Sequence, residues 1–207
     1  MPKPKQTRER SVARGPAPPS GPHKLRIIGG RWRGTRLNFP DIEAIRPSPD
    51  RVRETLFNWL QPTIAGARCL DLFAGSGALG LEALSRGAEH VVFVDREPVI
   101  GRYLRETLVR LKAENASVVV SPAQRYLAAA ADKFDVVFLD PPFGQGLITV
   151  VFQELMSRDL LAPHAVVYLE CEAHLGMPPL PPGWVLGKSN RAGQVGYHLA
   201  IRSTAAE

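Results

Sequence analysis

Between residues 68 and 169 the chain alternates almost without interruption between short apolar runs and longer helix-forming ones. Residues 68–73, 90–94, 116–120, 134–139 and 165–169 read as buried strands, and 78–86, 97–113, 123–131 and 146–158 as the helices between them. Strands that are apolar on both sides, each followed by a helix, predict a parallel sheet covered on both faces. The pattern breaks at the end. Residues 184–186 and 195–201 are strand-like with only a loop between them, which predicts an antiparallel terminal pair on an otherwise parallel sheet.

Between the first strand and its helix lie Gly75, Gly77 and Gly80, spaced G-x-G-x-x-G. Glycines at a strand-to-helix turn permit positive φ and close approach by a ligand, and the helix N–H groups face any anion placed there. Ordinary turns also contain glycine, so the loop by itself predicts a nucleotide-type cofactor without naming one. Asp95 closes the second strand, where an acid can take ribose hydroxyls. A nicotinamide dinucleotide and S-adenosylmethionine both suit this arrangement.

The fourth strand separates the two. It runs directly into Asp140-Pro141-Pro142-Phe143. Hydride transfer has no use for such an element, whereas methylation of an exocyclic amine does, because the amine lone pair is delocalised into the ring. A carboxylate oxygen of Asp140 and the carbonyl of Pro141 can each accept one amine hydrogen, orienting the nitrogen and favouring the positive charge that develops on it. Two prolines stiffen the loop, and Phe143 can stack on an extruded base. The alternative is a Pro-Pro turn that merely caps a buried strand.

Charge points to the partner. Residues 1–40 hold ten Lys or Arg against the single acid Glu9, so this segment is +9 in a chain of net +6. A basic arm on a mildly acidic remainder predicts nucleic acid as the partner. Residues 1–23 form a Pro-rich basic tail too poor in apolar side chains to fold alone. Residues 24–45 are expected to form a β-hairpin extension, with strands at 25–28 and 35–39 and Arg26, Arg31, Trp32 and Arg33 offered to RNA. Trp32 could equally anchor the hairpin on the core. Residues 46–207 make up the remaining domain. Ser48 is expected to cap a helix over 51–60 with Pro49 at its first position, and Pro62 to end it. Val52, Leu56, Trp59 and Leu60 face the core, leaving Arg51 and Arg53 free to line a groove, with Arg46 just upstream. Cys69 and Cys171 sit in apolar runs and read as buried thiols, with no metal-ligand spacing. No apolar run reaches membrane-spanning length and no secretory signal is visible, so a cytoplasmic protein is expected.

Asp71-Leu72-Phe73-Ala74-Gly75-Ser76-Gly77 together with Asp140-Pro141-Pro142-Phe143 resembles the amino-methylating class I S-adenosylmethionine-dependent methyltransferases. Arg26-Ile27-Ile28-Gly29-Gly30, Arg33-Gly34, Arg46-Pro47, the run from Asp50 to Leu60, and Ala192-Gly193-Gln194-Val195-Gly196-Tyr197 narrow the resemblance to the RsmD family, bacterial 16S rRNA guanine-N2 methyltransferases. It covers about residues 24–202. It implies a seven-stranded Rossmann-like sheet with an antiparallel last strand, and an N-terminal hairpin reaching over RNA. The implied reaction is methylation of one guanine (the position-966 class) in the small ribosomal subunit or its assembly intermediate, by a monomer. By motif matching, Asp71, Phe73, Gly75, Ser76 and Gly77 belong to the cofactor pocket, Asp95 and Arg96 to the ribose side, and Ala123 to the adenine edge. Asp140, Pro141, Pro142 and Phe143 form the catalytic loop. Three alternatives are an adenine-N6 or cytosine-N4 methyltransferase, a non-catalytic RNA-binding factor, and a dehydrogenase.

Overall fold

The computed structural model describes residues 23–40 and 48–203. Arg46, the tail and the expected boundary at 45/46 lie outside the described residues.

The chain begins with a two-stranded antiparallel hairpin, β1 (His23–Arg26) and β2 (Arg36–Phe39), joined through a 3-10 turn at Gly30–Trp32. The first strand lies two residues earlier than expected, because Ile28 and Gly29 give their N–H groups to the carboxylate of Glu82 instead of to a neighbouring strand. Leu25, Ile27, Leu37 and Phe39 are buried in the same apolar cluster as the first helices of the main domain. Each contributes about 1.5–3 kcal/mol by leaving water, so the hairpin is fixed to the domain rather than hinged on it.

Helix α1 (Asp50–Trp59) is followed at once by a short second helix, α2 (Gln61–Ile64). Pro62 falls in the first turn of α2, where its missing N–H costs nothing, so it opens a new helix rather than simply ending the old one. Strands and helices then alternate: β3 (Arg68–Asp71), α3 (Ala78–Ser85), β4 (His90–Asp95), α4 (Pro98–Leu111), β5 (Ala116–Val120), α5 (Ala123–Ala129), β6 (Phe134–Leu139), α6 (Leu147–Ser157), β7 (Leu161–Glu172), β8 (Trp184–Ala192) and β9 (Val195–Arg202). The seven-stranded sheet has the order β5-β4-β3-β6-β7-β9-β8. Neighbours are parallel from β5 to β7, and β9 runs antiparallel to both β7 and β8. The hairpin, α1, α3 and α4 contribute to the core on one face, and α5 and α6 to the core on the other.

Sheet register sets out the candidate site. Phe93, Asp71, Phe138 and Tyr168 lie side by side on four adjacent strands. Side chains repeat on one face every second residue, so the next row on that face holds Asp95, Asp140 and Glu170, with Tyr197 opposite Glu170 on β9. Asp95 ends β4, Asp140 directly follows β6, and Glu170 lies two residues before the end of β7. The order of the sheet reverses between β4, β3 and β6, which is where open α/β sheets bind their ligands.

Candidate active site

The glycine loop leaves β3 and enters α3 through Gly77, which caps the helix at φ 73° with no side-chain hydrogen bond. A side chain there would strike Leu104, a β-carbon lying only 2.6 Å from Leu104 Cδ2. Gly80 differs. Its absent β-carbon would sit 2.2 Å from the Phe93 ring, and its N–H donates to Asp71 Oδ2 at 2.9 Å. Gly80 is therefore a packing glycine that lets α3 lie on β4, not part of an open phosphate cradle. Asp71 is buried beneath the loop as its strut, and burial pushes its carboxyl up to about 7.

Asp95 ties the loop to the next strand. One carboxylate oxygen accepts the N–H of Gly75 at 2.8 Å and the other that of Glu97 at 2.9 Å. A carboxylate has about four acceptor positions, so each oxygen retains capacity for a hydroxyl. Phe73 is half-buried beside the loop, Ser76 is buried with its carbonyl accepting from Tyr103 Oη at 3.4 Å, and Ala123 is buried at the start of α5. Arg96 points outward and pairs with Glu97 at 3.2 Å. A glycine-rich loop, an apolar ring and a carboxylate with spare acceptor capacity fit a nucleoside with a neutral or cationic appendage.

Two strands from β4, β6 runs directly into Asp140. Pro141 is buried, Pro142 is exposed and Phe143 is 46% exposed, offering an apolar face to an incoming ring. The loop is held from its far side, where Gly144 N–H donates to Glu172 Oε1 at 2.6 Å. Asp140 is pushed well above the usual carboxylate range by burial and by the nearby Glu170 and Asp71 carboxylates, while Ser48 opposes the shift. Glu170 is 4% exposed, and its Oε2 accepts from Ser48 Oγ at 2.9 Å and from Tyr168 Oη at 2.7 Å. Ser48 therefore does not cap α1. The capping position falls to Pro49, and the serine hydroxyl is spent on Glu170. Sequence reading missed both Glu170 and this use of Ser48. The available signal was an acid two residues after Tyr168, directly following the apolar run 165–169.

The arginines divide sharply. Arg51 and Arg33 are exposed and make no ion pair among the described residues. Arg26 is exposed but donates from Nε and Nη2 to Asp50 at 3.0 and 2.8 Å. Arg31 lies over the Trp32 ring, 4.0 Å from its centroid, and Trp32 is half-buried against the core, so the tryptophan serves as anchor with one face already covered. Arg53 overturns the expectation of a groove-lining residue. It is 1% exposed and donates to the carbonyls of Ser48 and Arg26 and to Asp50 Oδ1, with Glu82 3.6 Å away. Its helical position faces the hairpin, and the helix pattern did not show that a polar cluster would bury it. Glu82 completes the cluster by also accepting from Arg86 at 2.7 Å.

This sheet order and the paired acidic strand ends define the class I methyltransferase fold, and the solved structures it superposes on share it. Residues 25–201 match the family described as conserved hypothetical protein 95, and the chain belongs to that family. It is 47% identical to ribosomal RNA small subunit methyltransferase D of Escherichia coli strain K12, over 91% of this chain and 95% of that protein. The protein of the same name from Haemophilus influenzae is 42% identical over 87% of this chain and 95% of its own length. The solved yhhF structure from Escherichia coli covers 87% of this chain and 99% of its own, with a TM-score of 0.82 at 46% identity.

Proposed function

We propose that the chain transfers a methyl group from S-adenosylmethionine to the N2 amine of a guanine in 16S rRNA, the position-966 class, within the small ribosomal subunit or its assembly intermediate. The observation that carries this reading is the placement of Asp140-Pro141-Pro142-Phe143 one strand from the glycine loop, in a chain whose relatives are named for small-subunit rRNA methylation. When bound, S-adenosylmethionine supplies an electrophilic methyl group on a sulfonium centre. Asp95 holds the ribose through its remaining acceptor positions, the loop at Gly75–Gly77 leaves room for the aminoacyl part, and Phe73 and Ala123 line the nucleoside. Asp140 and the Pro141 carbonyl accept the two hydrogens of the amine, so its nitrogen lone pair turns away from them and toward the methyl donor. Their negative partial charges favour the cation that forms on nitrogen. Phe143 stacks on the extruded base.

We take the active unit to be a monomer. We place it in the cytoplasm with the ribosome, and no helix among the described residues is long and apolar enough to cross a membrane. Labelled methyl transfer to naked 16S RNA, to small subunits and to DNA, followed by nucleoside analysis, tests the reading. N2-methylguanine from the ribosomal substrates is the expected product. Methyladenine or methylcytosine would overturn the choice of base, and no transfer to any substrate would overturn the reaction.

A further inference from the structure

Asp140 is not alone at the acceptor end of the site. Leu139 of β6 and Leu169 of β7 are register partners, so Asp140 and Glu170 emerge side by side from adjacent parallel strands, which run about 5 Å apart. Ser48, brought in by the segment before α1, reaches the pair from the face covered by α1, and its hydroxyl donates to Glu170 Oε2. Tyr168, two residues earlier on the same face, donates to the same oxygen. Burial and the neighbouring acids push the Tyr168 phenol upward, so it remains a proton donor. The other groups facing the pair are Asp71 from β3 and Tyr197 from β9, which stacks on Trp59 of α1. Arg53, whose Nε donates to the Ser48 carbonyl, is otherwise committed to Asp50 and Glu82. Burial pushes the Glu170 carboxyl up, the two hydroxyl donors oppose that shift, and no described cation relieves the crowding of the two acids.

We propose that Glu170 is a positioning residue for methyl transfer: anchored by the hydroxyls of Ser48 and Tyr168, this second acid stands beside Asp140 and makes that carboxylate the acceptor of the proton the methylated amine releases. This deepens the function given above and rests on it. Methylation leaves the amine nitrogen cationic. One N–H bond then breaks with its electron pair remaining on nitrogen, and the proton forms an O–H bond on Asp140. A carboxylate is a better acceptor when a second negative charge lies beside it, and it is best tuned when it titrates near the working pH. The proton leaves to solvent on the exposed side of the loop once the product has gone.

The test is single-turnover methyl transfer to small subunits at saturating donor, followed across pH, for the native chain and for Glu170→Gln, Ser48→Ala and Ser48→Thr. In the native chain the rate should rise with pH through a limb above the ordinary carboxylate range. Glu170→Gln removes the adjacent charge, so that limb should move to lower pH and the plateau should fall about tenfold or more. Ser48→Ala removes a hydroxyl that opposes the upward shift of both acids, so its limb should move the other way, to higher pH, and by less, and Ser48→Thr should restore the native profile. Affinity for S-adenosylhomocysteine should stay unchanged in all three. A Glu170→Gln limb at the native position overturns the inference, as does a plateau loss without a shift. If Glu170→Gln fails to bind S-adenosylhomocysteine through misfolding, the two Ser48 variants decide, and matching native profiles for Ala and Thr overturn it. Absence of transfer by the native chain would instead strike the proposed function itself.

Discussion

Asp95 and Asp140 occupy equivalent places, each at the carboxyl end of a parallel strand on the same face of the sheet, yet they have opposite surroundings. Asp95 is met by two backbone N–H groups, from Gly75 and Glu97, and works as a tie between loop and strand. Asp140 is withdrawn from water and then met by Glu170 and Asp71, so the same residue type becomes a carboxylate resisting ionisation. Backbone donors stabilise charge, whereas crowded acids raise the cost of it and strengthen the base. The difference assigns the two ends of the site. On the function proposed above, the first end would hold the donor by geometry and the second would be tuned for proton acceptance.

Removing the two acids should separate these roles, and the larger loss belongs to Asp140. Asp140→Ala deletes an acceptor needed only as charge develops, so methyl transfer to small subunits should fall by about 100- to 1,000-fold or more. Calorimetry should find S-adenosylhomocysteine bound as tightly as by the native chain. A variant that keeps full activity removes Asp140 from the mechanism and collapses the contrast. Asp95→Ala should act the other way. It frees the N–H groups of Gly75 and Glu97 and deletes the ribose acceptor, so donor affinity should drop about 10- to 100-fold. The single-turnover rate at saturating donor should change little. Unaltered affinity would leave Asp95 as a loop strut only.

The strands, their parallel sense and the reversed last strand were legible because buried strands write themselves as apolar runs, and crossovers need helices. Asp95, the glycine loop and Asp140 were legible because each follows such a run directly. What stayed hidden was register. Glu170 matters because Leu139 and Leu169 are partners, and no local pattern in the sequence states which residues of distant strands lie level. Ser48 was misplaced for a related reason. Serine before Pro-Asp is a good local cap, but a buried carboxylate 122 positions away took its hydroxyl. Glu82, an acid inside an apolar helix, carried a visible signal of buried pairing, and its partners in the hairpin and α1 were visible only in the fold.

Arg51 and Arg53 repeat the comparison on the basic side, two residues apart on one helix. Arg53 lies inside a cage of carbonyls and carboxylates and cannot reach a phosphate without breaking it. Arg51 stands exposed on the same helix, next in sequence to Asp50, which pairs with Arg26 of the hairpin. If the exposed arginine meets the RNA backbone, its loss removes one phosphate contact and the counterion released with it. Arg51→Ala should then weaken small-subunit rRNA binding only severalfold and leave the unfolding midpoint near its native value. The slope of log affinity against log salt should fall by about 0.7 to 0.9, the share of a single contact. An unchanged slope would take Arg51 off the RNA face and leave Arg33 and Arg31 on the hairpin turn as the contacts to test next.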